Sequence, residues 1–274
     1  KANFADKRRC PIEQRSQAKA LAATDLLTAE SISVILSKKG WIKAAKGHDI
    51  NPETLNFKTG DSFYSMCKGK SNQVLIVISN QGKSYGLSAH NLPSARGHGT
   101  PLTGKISCDP GGVFTDILLG TPKTEVLLGT SRGYGFITTL EKMETKNKNG
   151  KALVTIDSKL DKIMRANIIP NPDGALLAMV SKQGNLLIID ITEIPHLARG
   201  KGNKLININK KDFEKKEDSL KNWIVVYKDY SLILHAGKRF ARYKYKELLE
   251  LKMSRALKGK PLPKGYRSVT KLEL

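Results

Sequence analysis

Groups able to do chemistry are present in this chain, but they are not assembled. The five histidines, His48, His90, His98, His196 and His235, lie far apart and without the spacing of a metal site. Ser84, Ser131 and Ser181 fall in turn-like segments, and no G-x-S-x-G elbow surrounds any of them. Gly133-Tyr134-Gly135 has the look of a nucleotide loop, yet no Walker lysine follows it. Cys10, Cys67 and Cys108 are odd in number and include no C-x-x-C, which argues against a disulfide framework or a zinc site and suits a reducing cytosol. No catalytic residue and no metal ligand is assigned.

Positive charge is what the chain does assemble. Its 274 residues hold 47 Lys and Arg against 25 Asp and Glu, a formal net charge of +22. An excess of that size calls for a polyanionic partner, with nucleic acid first and an anionic membrane surface second. At 39% hydrophobic residues the chain is no disordered basic tail. Its apolar runs stop after four or five residues, as in Leu186 to Ile189, too short to cross a bilayer as a helix. Lys1 to Lys19 is polar, unlike a signal peptide, and the absence of an initial Met suggests a piece of a longer protein. Residues 205–274 are the most basic stretch, with 18 basic side chains against 8 acidic ones.

The elements that must present this charge repeat. Five times an apolar run meets a short polar turn ending in glycine and then a second alternating run, with the glycines at 40, 82, 133, 184 and 237. Each unit reads as a β-hairpin, because glycine supplies the positive φ such a turn needs. A period near 50 residues points to four-stranded blades in a propeller-like array.

A second glycine follows each hairpin. Gly99, Gly150 and Gly202 are each preceded by a basic loop, with Gly60 as a looser first copy and Lys258-Gly259-Lys260 as a last one. The loops carry Arg96 and His98, Lys146 and Lys148, and Arg199 and Lys201. They precede strand-like stretches at 102–106, 152–156 and 204–208. We assign these basic residues to phosphate contact, together with Lys46, His48, Lys68, Lys70, Arg132, Lys151, Lys204, Lys238, Lys244 and Lys246. As a strand, 238–246 puts Lys238, Arg242, Lys244 and Lys246 on one face and Arg239 on the other, which makes Arg239 the candidate for a protein contact. Short helices are expected over 245–257 and 212–220, and a last strand over 269–274, near enough to Ile32 for terminal strands to pair.

The strings SKKGWIKAAKGHDI (37–50), GDSFYSMCKGKSNQ (60–73), LPSARGHGTPLTGK (92–105), GYGF (133–136), NGKAL (149–153), KGNKLINI (201–208) and HAGKR (235–239) lie in matching order over about residues 30–250. In them the chain resembles the C-terminal domains of the A subunits of bacterial type IIA topoisomerases, topoisomerase IV more closely than gyrase. The resemblance implies an all-β fold, a five-bladed β-pinwheel whose neighbouring blades exchange strands and whose disc need not close. Residues 1–29 would be a strap from a preceding catalytic region and 30–274 the pinwheel itself. It implies a monomeric, non-catalytic module that binds and bends duplex DNA on its outer rim. The parent enzyme would use ATP and Mg2+ and pair with a B subunit. It would decatenate and relax DNA at the nucleoid in the cytoplasm or peripherally at the inner membrane face. A bacterial condensin is the further partner implied. Gln14-Arg15-Ser16-Gln17 lacks the glycines of the gyrase box, which favours decatenation over supercoil introduction. In such enzymes a catalytic tyrosine follows arginine beside paired carboxylates; Arg242-Tyr243 has no such carboxylates and is not assigned that role.

Overall fold

The computed structural model describes residues 28–274. All but the last two residues of the expected strap, including the helical turn near Gln14 to Leu21, lie outside the described residues. Five antiparallel hairpins form where the glycine spacing places them. They are β1 (Ser31–Ser37) with β2 (Trp41–Lys46), β4 (Val74–Ser79) with β5 (Lys83–Ser88), β8 (Glu125–Gly129) with β9 (Tyr134–Thr139), β12 (Leu176–Ser181) with β13 (Asn185–Asp190), and β16 (Ser231–Ala236) with β17 (Arg239–Lys244). The first strand of each hairpin pairs with a strand that follows it: β3 (Phe63–Lys70), β7 (Phe114–Leu118), β11 (Asn167–Ile169), β15 (Leu220–Val226) and β19 (Lys271–Glu273).

The fourth strand comes from the next repeat. β6 (Thr100–Pro101) pairs with β2, β10 (Lys151–Ala152) with β5, β14 (Asn203–Lys204) with β9, and β18 (Lys260–Pro261) with β13. These strands are two residues long, not the five read from the sequence. After each, a leucine three positions beyond the marker glycine turns inward. The N–H groups of Leu102, Leu153, Leu205 and Leu262 donate to the carbonyls of Gly40, Gly82, Gly133 and Gly184 at 2.8–3.0 Å. All four leucine side chains are buried. The marker glycine is required by close approach: a Cβ on Gly202, at φ +78, would lie 2.2 Å from the carbonyl oxygen of Gly135 in the preceding blade.

Strand alternation builds the core. Leu75 and Val77 on β4 face blade one, while Ile76 and Ile78 on the same strand face blade three. β12 divides likewise, with Leu177 and Met179 toward blade three and Leu176, Ala178 and Val180 toward blade five. Successive side chains of a strand point to opposite faces, so each of the inner blades, two to four, is apolar on both sides. Burying one such Leu or Ile contributes about 1.5–3 kcal/mol. Among the described residues there are four such cores for five blades, one at each junction from one–two to four–five. No core and no strand pairing among the described residues joins blades five and one, and the ring they form is open there. The expected pairing of the chain's last strand with the Ile32 region does not occur, because β19 completes its own blade on β16.

Three aspartates clamp the hairpin turns. Asp61 accepts from Ser37 Oγ at 2.5 Å and from the Lys39 N–H at 3.0 Å; Asp161 accepts from Ser131 Oγ and the Arg132 N–H, both at 3.0 Å; Asp218 accepts from the Gln183 N–H at 3.1 Å. Burial alone would raise the Asp61 carboxyl, but Ser37 and the N–H groups of Lys39 and Ser62 hold it below its ordinary value. The helices are single turns: α1 (Leu140–Met143), α2 (Lys210–Glu214) and α3 (Tyr245–Glu250). The last two are shorter than expected, and the first is not among the expected helices.

Candidate nucleic-acid interface

The two edges of each sheet face different ways. β3 packs against β7, β11 against β15, and β15 against β19, so the strands following the hairpins converge on the disc axis. The two-residue strands sit on the opposite edge, and the basic loops that precede them therefore lie on the outer rim.

The side chains divide by what they already hold. Arg96, His98, Lys146, Lys148 and Arg199 are exposed and have no carboxylate partner among the described residues. Lys201, grouped with them in the sequence, is engaged: it pairs with Asp157 and lies 4.1 Å from the centre of the Tyr134 ring. Arg132 reaches the same carboxylate at 3.5 Å. Lys151 donates to the Lys142 carbonyl at 2.7 Å, Lys204 to Asn207 Oδ1 at 2.8 Å, and Lys46 pairs with Glu30 at 2.9 Å. His48 Nε2 lies 3.0 Å from the Gly69 carbonyl oxygen. Lys68 and Lys70 are exposed, but they stand on β3, an axial strand.

In the fifth blade Lys238 occupies the hairpin turn, Lys244 ends β17, and Lys246 lies on α3 instead of extending the strand. The alternation within β17 stands: Arg242 and Lys244 share one face, and Arg239 turns to the other, its guanidinium against Gly265. Tyr243, on Arg239's side, is half-buried, and burial raises its phenol.

Two further sets of basic residues lie outside the assignment made from the sequence. Lys258 and Lys260 flank Gly259, read from the sequence as the last marker loop but not assigned to phosphate contact; they are exposed at the rim of blade four, and Leu262 three residues on completes the register of the other loops. A second basic region surrounds a cavity of about 1050 Å³ lined by Lys159, Lys162, Arg165, Lys182, Lys216 and Lys221. Lys221 stands on β15 and the others come from loops of unequal length, so no sequence period joins them. Among the described residues no three His, Cys, Asp or Glu side chains gather as a metal site, and no helix is long and apolar enough to cross a membrane.

Five strand-exchanging blades with an outward basic loop on each exchanged strand define a DNA-gyrase-type β-pinwheel. The family model described as DNA gyrase C-terminal domain, beta-propeller, matches residues 124–170 and 175–213. The solved C-terminal domain of E. coli ParC superposes with a TM-score of 0.81 at 34% identity, over 89% of this chain and 98% of that one. The A subunit of DNA topoisomerase 4 from Escherichia coli is 36% identical over 99% of this chain, and its counterpart from Pseudomonas aeruginosa 38% over 98%. The chain belongs to the family of C-terminal domains of topoisomerase IV A subunits. It spans 36% of the length of each of these two curated relatives.

Proposed function

We propose that this chain is a non-catalytic module that binds duplex DNA along its outer rim and bends it, positioning one segment for strand passage by the rest of a topoisomerase IV. In this reading the parent polypeptide works with ATP, Mg2+ and a B subunit in the cytoplasm at the nucleoid, decatenating and relaxing chromosomes. The observation that carries the reading is the recurrence of unpaired cations in register on the exchanged-strand loops of successive blades. Such contacts hold phosphates without reading bases, as an enzyme working anywhere on a chromosome requires. The test is a salt titration of duplex binding. About six contacts, from Arg96, Lys146, Lys148, Arg199, Lys258 and Lys260, give a slope of log K against log salt near −5. A flat response, or strong preference for one sequence, refutes the reading.

A second reading, docking of an acidic protein such as a bacterial condensin, is favoured by one observation: β17 presents Arg239, Arg242 and Lys244 with no acidic residue on the strand.

A further inference from the structure

Among the described residues, blades one to four each carry a fourth strand on the second strand of the hairpin, whereas blade five carries none and β17 ends its sheet as an open edge. The two-residue turn Gly237-Lys238 determines which groups that edge exposes. In such a hairpin the flanking pair, here Ala236 and Arg239, exchanges both ladder hydrogen bonds, and the pattern alternates from there. Arg239, Ala241 and Tyr243 direct their backbone groups toward β16, while Phe240, Arg242 and Lys244 direct theirs outward. Glu247 Oε2 takes the Lys244 N–H at 2.6 Å. Phe240 and Arg242 have no further backbone partner among the described residues. Elsewhere the two-residue strands pair with the first two residues of β2, β5, β9 and β13; on β17 the second such position is Phe240, and Arg242 extends the open edge beyond it.

The side chains agree with the backbone. Phe240 is the second residue of β17 and is 65% exposed, whereas the second residues of β2 and β13, Ile42 and Leu186, are 0% and 6% exposed beneath the next blade. Phe240, Arg242 and Lys244 share one face by alternation, so an apolar ring and two cations line the surface that a neighbouring blade covers in the other repeats. The four internal occupants indicate what fits: an extended pair of residues after glycine, then a leucine that turns inward. On this edge the leucine would cover Phe240, and residues opposite Arg242 and Lys244 would be acidic. A second copy of the strand is disfavoured, since like charges would stand opposite each other.

We infer that β17 is completed in trans by an extended segment of a protein partner, an acidic strand bearing one aliphatic residue, added antiparallel along Phe240 and Arg242. The inference rests on the protein-docking reading and supplies its mode, main-chain pairing for affinity and alternate side chains for specificity.

The probe is a synthetic peptide with a Gly-Glu-Glu-Leu core flanked by glutamates, compared with the same peptide N-methylated at its two central glutamates. Hydrogen exchange is followed by NMR on the whole chain. Strand addition predicts that exchange at the Phe240 and Arg242 amides slows about tenfold or more. N-methylation, which keeps the charge and removes the ladder donor on whichever of the two adjacent glutamates faces β17, should cost at least about tenfold in affinity. Phe240→Ser should weaken the peptide while leaving duplex DNA binding within about twofold. Equal affinity for the N-methylated peptide, no binding up to millimolar concentration, or protection elsewhere than at Phe240 and Arg242 overturns the inference. An acidic protein that binds and leaves both amides unprotected overturns strand addition while preserving the docking reading.

Discussion

The guanidinium of Arg165 donates to the hydroxyl of Ser65 at 2.8 Å, across 100 positions of chain and across the disc axis from blade three to blade one. The neighbouring backbone completes a hub. The Ala166 N–H donates to Asp116 Oδ2 of blade two at 2.8 Å, and the indole N–H of Trp223 in blade four donates to the Arg165 carbonyl at 2.7 Å. Two consecutive residues thus tie four blades together at the centre of an open ring. Replacing Arg165 by Ala should lower stability by about 1–3 kcal/mol, since a charged donor is lost and Ser65 is left without it. Thermal melting measures this. An unchanged midpoint would mean that the inter-blade cores alone hold the hub.

Asp116 makes the hub sensitive to pH. Burial pushes its carboxyl up to about 6, against the hydrogen bond from Ala166 and the charge of Arg165, which act to lower it. The folded state therefore binds this proton more tightly than the unfolded chain does. Asp116 costs nothing below the ordinary carboxylate value, and stability falls as pH rises from there through about 6, by up to about 3 kcal/mol. Asp116→Asn keeps an acceptor for the Ala166 N–H and cannot ionise. Denaturant midpoints of wild type and variant should diverge over that window, the variant being more stable at neutral pH. Parallel curves would contradict the assignment.

On the rim, Arg96, Lys148 and Arg199 replaced together by Ala should weaken duplex binding and make the salt slope shallower by about 0.9 per residue. Melting should stay near wild type, because exposed unpaired charges contribute little to stability. Lys201→Ala should behave differently, losing the contacts with Asp157 and Tyr134 in blade three while changing DNA affinity less. A Lys201→Ala variant with a DNA defect as large as that of the triple variant would reverse this division.

The exchanged strands rest on their leucines. Leu153→Ala or Leu205→Ala should cost about 2–5 kcal/mol through the cavity left between blades, read as a fall in the unfolding midpoint. Effects below about 1 kcal/mol would show that the two-residue strands hold without this anchor.

The hairpins and their order were legible because glycine marks every turn at near-constant spacing and the alternation of apolar residues is strict, as in Leu75 to Ile78. The exchange of strands came only with the family resemblance, not from the pattern of residues. A two-residue strand such as Thr100–Pro101 leaves no periodic trace. Its partner is also remote: Thr100 lies opposite Ile42, with β3, β4 and β5 between them in the chain, and no local signal spans that distance. The rim loops could be read from charge and register. Which of their cations are free could not, because Asp157, which engages Lys201, lies 44 residues before it. The clamps Asp61, Asp161 and Asp218 stand at unequal distances from their turns and escape any search by period.

The rim, not the basic cavity lined by Lys159, Lys162 and Lys221, is where the DNA is proposed to lie. Amine-reactive labelling of the whole chain with and without duplex DNA, read residue by residue by mass spectrometry, tests this most directly. DNA should protect Lys146, Lys148, Lys258 and Lys260 and leave Lys159, Lys162 and Lys221 as reactive as before. Protection concentrated on Lys159, Lys162 and Lys221, with the rim lysines unchanged, would contradict it.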